Sequence, residues 1–179
     1  MKFRASKLRV SIAALAFACT TAFANPACVR AAPPQPATAD PYGDAARAED
    51  VPLNLLIAVA GAESGYHPWA LNLDGREIYC ATREEAQRML DSADDVAIGL
   101  MQINWGFWGP RFGLTKTQLL DPATNLRYGA RILKNSLERD GSLWMRISNY
   151  HSGSLATRDK YNRHVYDTYL HYMRGDFTR

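Results

Sequence analysis

Apolar residues fall along this chain in two contrasting patterns. Over residues 52–64, Leu53, Leu55, Leu56, Ile57, Val59 and Ala60 leave almost no polar side, and a helix that is apolar all round is a buried one. Asp50 precedes it as a candidate cap, Pro52 suits a first turn, and Gly65 ends it. From Asp121-Pro122, by contrast, Leu126, Ala130, Leu133 and Leu137 recur at spacings of four and three. That spacing predicts an amphipathic helix stopped at Asp140-Gly141, with Arg127, Arg131, Lys134 and Glu138 on its wet side. Two further helices are read over residues 143 to about 151 and 156 to 173. Thr82-Arg83-Glu84-Glu85 has the form of a capping box and opens a helix to about Asp91. The exception to helix lies over residues 69–73 and 77–79, which flank Asp74-Gly75, a dipeptide suited to a tight hairpin turn. The expected class is therefore α+β, predominantly helical, with a two- or three-stranded patch and no internal repeat.

The N-terminus stands outside this pattern. Lys2, Arg4, Lys7 and Arg9 form a basic start, residues 12–23 are apolar and Ala-rich, and Ala22-Phe23-Ala24 has the small-x-small form of a signal-peptidase site. Residues 1–24 are read as a signal peptide, too short in its apolar run for a spanning helix, which needs roughly 20 residues. The competing reading, a lipoprotein site at Cys19, fits less well because Ala16-Phe17-Ala18 lacks the Leu-small-small pattern. Residues 25–39 are small and Pro-rich and are read as a linker. The folded domain is expected over residues 40–179.

Removing the leader changes what charge implies. Its four basic residues are among the 21 of the chain, so the remaining 17 face 18 acidic residues and the charge moves from +3 to near −1. The basic balance belongs mostly to the signal, and gives no support to a nucleic-acid partner. Export also frames the cysteines: with Cys19 removed, Cys28 and Cys80 form a candidate pair in an oxidising compartment, while Cys28 could equally be free. The expected product is a periplasmic protein without stable membrane insertion.

Candidate chemistry begins at Glu63, in Ala62-Glu63-Ser64-Gly65-Tyr66. In the last turn of a buried helix, desolvation and the negative end of the helix dipole both disfavour the ionised carboxylate. A carboxyl protonated near neutral pH can donate a proton to a leaving sugar oxygen. An isolated Glu-Ser at a helix end is ordinarily a solvated or capped glutamate, and its company changes the weight. Gly99-Leu100-Met101-Gln102-Ile103-Asn104 follows, in which Gly lets backbone approach a ligand and Gln102 and Asn104 carry amides able to bond a sugar. The apolar members of this segment are ordinarily core. Ser148-Asn149-Tyr150-His151-Ser152-Gly153 then offers a phenol and an imidazole at a helix end. Trp105, Phe107 and Trp108 have faces that stack on sugars, though packing is the commoner role for each. No metal-ligand spacing, phosphate loop or nucleotide motif is present, so neither metal nor cofactor is expected.

In this order and at these separations the three segments resemble the transglycosylase SLT domain of family 1 lytic transglycosylases, over about residues 51–174. The family's Glu-Ser element maps onto Glu63-Ser64, its Gly-Leu-Met-Gln element onto residues 99–102, and its Ala-Tyr-Asn-x-Gly element onto residues 149–153. Two positions depart from the last element: Asn149 stands for Ala, and His151 for Asn. The hairpin and the Tyr-His-Ser-Gly variant look most like the specialised enzymes that accompany conjugation, type IV secretion and pilus assembly.

The resemblance implies a lysozyme-like fold and a peptidoglycan substrate. Glu63 would protonate the oxygen between N-acetylmuramic acid and N-acetylglucosamine and then act as base on the muramoyl C6 hydroxyl, closing a 1,6-anhydro ring. The substrate's acetamido group takes the place of a second carboxylate, a recognised exception to the two-carboxylate rule. Ser64, Met101, Gln102, Asn104, Tyr150 and His151 are the implied substrate-binding residues, with Tyr150 bonding Glu63 or positioning the sugar. Periplasmic components of a secretion or conjugation apparatus are the implied partners. Asp74, Asp91, Asp94 and Asp95 are the acids that could serve a hydrolase, and turn or loop roles are expected for them. Two rivals stay open: a hydrolytic muramidase of the same fold, and a non-catalytic glycan-binding scaffold. For His151 a structural role competes with substrate binding.

Overall fold

A computed structural model describes residues 40–91, 95–151 and 154–176. Helix α1 (Pro41–Glu49) was not foreseen from the pattern, since its buried face is made of Gly43, Ala45 and Ala46 rather than of large apolar residues. Asp40 caps it by accepting from the Gly43 N–H, and Asp50 ends it with a left-handed φ of 53°. Asp50 therefore caps the end of α1 and not the start of the next helix, as the sequence suggested. Helix α2 (Leu53–Ser64) starts at Pro52 with no side-chain cap. Its burial from Leu55 to Gly61 compensates, because packing rather than capping holds a helix apolar on all sides.

The hairpin forms as its sequence requires. Strands β1 (Ala70–Leu73) and β2 (Arg76–Tyr79) pair antiparallel, with Leu73 opposite Arg76 and positive φ at both Asp74 and Gly75. Helix α3 (Arg83–Leu90) opens on Thr82, whose hydroxyl accepts from the Glu85 N–H, while the Glu85 carboxylate accepts from the Ala81 N–H. Beyond it the sheet is larger than expected. β3 (Val96–Ile98) and β4 (Ile103–Asn104) extend it to four strands in the order β2-β1-β3-β4, all antiparallel. These last strands are too short to show a period of two, so only the tight turn between them leaves a trace in the sequence.

Helix α4 (Trp105–Phe112) follows, then a short 3-10 turn (Gln118–Leu120) and α5 (Pro122–Leu137), capped by Asp121. Helices α6 (Leu143–Ser148) and α7 (Leu155–Arg174) are each capped by a serine, Ser142 and Ser154. The core lies where α2, the sheet and α5 meet, with Leu56, Ile98, Met101, Ile103, Leu126, Leu133 and Ile147 fully enclosed. α1 is tied to α5 by Glu49, which accepts from Arg131 at 3.0 and 3.1 Å and from Arg127 at 3.4 Å. Lys134 reaches Asp50 at 2.9 Å. The side read as wet on α5 is thus partly a docking face for α1.

The architecture is α+β and predominantly helical, as expected. No helix among the described residues is long and apolar enough to cross a membrane. Cys80 is fully buried with its sulfur 3.8 Å from that of Met89. Cys28, its candidate partner, and the leader and linker assigned to residues 1–39 lie outside the described residues.

Candidate active site

The three motifs converge through hydrogen bonds to one another. Glu63 is the penultimate residue of α2, and Gly65 closes the helix with a φ of 57° and an N–H bonded to Gly61 at 2.9 Å. Ser64 turns inward: its hydroxyl donates to the carbonyls of Ala60 at 3.1 Å and Leu100 at 2.9 Å. That second bond fastens the turn between β3 and β4 onto the end of α2.

The turn itself is held at nearly every polar group of its backbone. Gly99 N–H donates to Ala70 at 2.7 Å, Gln102 N–H to Gly99 at 3.1 Å, and Met101 N–H to the Asn125 Oδ1 at 2.8 Å. The Tyr150 hydroxyl donates to the Met101 carbonyl at 2.8 Å, joining the third motif to the second. Asn125 is fully buried and also donates to Ile98 at 2.8 Å and Leu119 at 2.9 Å. It satisfies three backbone groups that would otherwise be orphaned in the core. Gly99 has a φ of 79°, and a Cβ there would strike the Asn125 amide. Gln102 carries a positive φ of 41°, unusual outside glycine.

Glu63, in the last turn of α2, is partly buried. Burial raises its pKa from 4.5 to about 7, and the Tyr161 hydroxyl draws it back down. Tyr161 comes from α7, is 9% exposed, and its buried hydroxyl lies beside Glu63 without a formed hydrogen bond. Burial and the Glu63 charge push both Tyr150 and Tyr161 well above the ordinary phenol range, so each stays neutral. His151 stacks on Tyr161, with ring centroids 4.9 Å apart and planes 14° from parallel, and burial lowers its pKa. Asn149 accepts from Arg158 of α7 at 3.0 Å.

Several residues expected at the substrate take other work. Ser64, 2% exposed, and Met101, fully buried, present no side chain to a ligand, since one bonds the turn and the other fills the core. Asn104 caps α4 by accepting from the Phe107 N–H at 2.8 Å and donates to Asp95 at 2.8 Å. Gln102 gives both amide protons to backbone, to Ala70 at 3.1 Å and Gly99 at 3.0 Å, so what it can offer a ligand is its carbonyl oxygen. Tyr150 bonds the Met101 carbonyl rather than the Glu63 carboxyl. Trp105 donates to Leu114 and Trp108 stacks on Phe112, both packing roles, while Phe107 is 50% exposed beneath Arg111. Asp74 lies in the hairpin turn and Asp91 at the end of α3, and Asp94 falls outside the described residues.

Tyr161 was missed in the sequence. The available signal is its spacing from Val165 on α7, the two buried residues of that helix. The spacing marks a buried face and says nothing of a carboxyl beside it.

The transglycosylase SLT domain family matches residues 40–169. The type IV secretion system protein virB1 of Brucella abortus biovar 1 (strain 9-941) is 26% identical over 114 residues, which are 55% of this chain and 48% of that protein. The virB1 protein of Brucella suis biovar 1 gives the same figures. Protein IpgF of Shigella sonnei is 26% identical over 141 residues, 76% of this chain and 81% of that protein. The chain spans about half the length of the virB1 relatives it matches. No solved structure matches it with significance.

Proposed function

The chain belongs to the transglycosylase SLT domain family, and from that premise we propose that it is a peptidoglycan lytic transglycosylase with Glu63 as its acid and base. The observation that carries this reading is the Glu63 carboxyl itself, partly buried, faced by two neutral phenols and raised to about pKa 7. A group poised there holds its proton at neutral pH and can also give it up, which suits a residue that acts first as acid and then as base.

In the first step Glu63 protonates the glycosidic oxygen that leaves with N-acetylglucosamine, and the bond to muramoyl C1 breaks. The positive charge developing at C1 is met by the substrate's own acetamido oxygen. Glu63, now a carboxylate, takes the proton of the muramoyl C6 hydroxyl as its oxygen bonds to C1, giving the 1,6-anhydro product and restoring the acid. No water is consumed. Tyr161 stabilises the carboxylate between the steps, in agreement with its lowering of the Glu63 pKa. Gln102, through its carbonyl oxygen, and Tyr150, partly buried at the site, are the residues proposed to meet the sugar. Ser64 and Met101 act on substrate only through the turn they hold.

The type IV secretion name of the virB1 relatives supports placing this activity beside a trans-envelope machine. The leader read in residues 1–24 supports a periplasmic location. The test is Glu63→Gln, compared with wild type for release of soluble fragments from purified peptidoglycan. A loss of at least about a thousandfold is expected from removing an essential proton donor. Equal release by the two proteins would overturn the catalytic reading and favour a glycan-binding scaffold.

A further inference from the structure

Both positions at which the third motif leaves its family pattern contact α7, the helix that carries Tyr161. Asn149 accepts from Arg158 at 3.0 Å, and His151 stacks on Tyr161 itself at 4.9 Å and 14°. Between them Tyr150 is anchored in the opposite direction, on the Met101 carbonyl. The segment after α6 therefore bridges the β3-β4 turn and α7.

We propose that Asn149 and His151 form a clamp on α7, with His151 a positioning residue whose ring holds the Tyr161 phenol against the Glu63 carboxyl. This rests on the reading of Glu63 as the acid. The geometry argues for it on three counts. The phenol lies beside Glu63 at its hydroxyl end, where the two groups couple, and the imidazole stacks on its face, which fixes the plane of the ring. A flat ring nearly parallel to the phenol covers it in a way that the amide of the family's asparagine is too small to match. The Tyr161 hydroxyl is buried without a hydrogen-bond partner, so nothing at that end holds its direction. Removing the imidazole opens space at the ring face, and the phenol gains freedom to turn away from the carboxyl. The substitution of His for Asn thus shifts this position from meeting sugar to supporting a neighbour that meets the acid.

The titratable groups facing the Glu63 carboxyl are Tyr150, from the segment after α6, and Tyr161, from α7. Both stay neutral, so the Glu63 titration reports on the position of the phenol. The experiment follows that titration by carbon-13 NMR of labelled glutamate carboxyls in the purified protein, with Glu63→Gln identifying the signal. It is run on wild type, His151→Phe, His151→Ala, Tyr161→Phe and the His151→Ala/Tyr161→Phe pair, beside kcat and KM on peptidoglycan. Tyr161 lowers the Glu63 pKa, so Tyr161→Phe and His151→Ala should both move the midpoint upward. The pair should move it no further than Tyr161→Phe alone. His151→Phe keeps the flat face and should leave the midpoint in place. His151→Ala should lower kcat about tenfold with KM changed less than about twofold, and the pair should be no slower than Tyr161→Phe.

A midpoint unmoved in His151→Ala, or losses that add in the pair, would overturn the clamp. A rise in KM alone would do the same and return His151 to the sugar. Where the alanine variant does not fold, His151→Leu fills the volume without a flat polar ring, and its expected titration is that of the alanine variant. Failure of the catalytic reading is seen separately, as full activity in Glu63→Gln, and the NMR comparison stands without it.

Discussion

Glu63 sets up a conflict between stability and chemistry that can be measured. Its carboxyl ionises near 4.5 in an ordinary setting and near about 7 in the folded chain, so the native state keeps a proton that the unfolded chain has lost. Stability should therefore fall as pH rises from about 4.5 to about 7 and level off above, the slope being at most about 1.4 kcal/mol per pH unit. Glu63→Gln removes the buried charge. We expect it to raise the melting temperature at about pH 8, by up to about 3 kcal/mol of stability, and to change it little at about pH 4. Equal effects at the two pH values would show that the carboxyl is not desolvated. Activity should follow the same group, falling as pH rises through about 7, because the proposed reaction starts from the acid form. Tyr161→Phe should lower kcat by about ten- to a hundredfold and carry that falling limb to higher pH, a change read directly from pH-rate profiles. Glu63 was legible in the sequence because its helix is apolar on every side and its neighbours recur as a motif. Tyr161 was not, because nothing in its local pattern distinguishes a buried tyrosine that packs from one that faces a carboxyl almost a hundred residues earlier in the chain.

At the level of elements, the turn between β3 and β4 is held by side chains of three neighbouring segments, Ser64, Asn125 and Tyr150. Its glycine allows a close approach, and the group that approaches is the Asn125 amide, while Gln102 gives its amide protons to backbone. Asn125 lies within α5, where the periodic leucines predicted only an amphipathic helix, and a buried asparagine on such a face gives no sign of what it bonds. Asn125→Leu would leave the Met101 N–H and the carbonyls of Ile98 and Leu119 without that partner. Each unsatisfied buried group costs about 1–3 kcal/mol, so we expect a loss of several kcal/mol in urea unfolding. Activity should drop even in the fraction that folds, since the Tyr150 acceptor lies on this turn. A variant that unfolds like wild type would contradict the role given to Asn125. α1 and the last two strands were missed for the opposite reason: alanine faces and strands of two or three residues carry too little pattern to read.

Across the whole molecule the site depends on the seating of α7 against α2, because one helix carries Tyr161 and the other Glu63. Gly61 is where the two approach. A Cβ there would meet Thr168 of α7 at 2.5 Å and overlap the Tyr66 hydroxyl. Gly61→Ala should thus push the helices apart, at a cost of about 1–3 kcal/mol for overpacking, and should weaken the Glu63–Tyr161 pairing with it. Thermal unfolding and the Glu63 titration measure the two effects, and unchanged values in both would refute the helix seating described. The family match covers residues 40–169, both helices included, and the reaction proposed for the site is cleavage without water. Mass spectrometry of fragments released from peptidoglycan in isotopically heavy water separates that reaction from hydrolysis. Cleavage without water gives muramoyl ends one water lighter than hydrolysis products and free of heavy oxygen. Reducing muramic acid ends carrying the heavy isotope would contradict it.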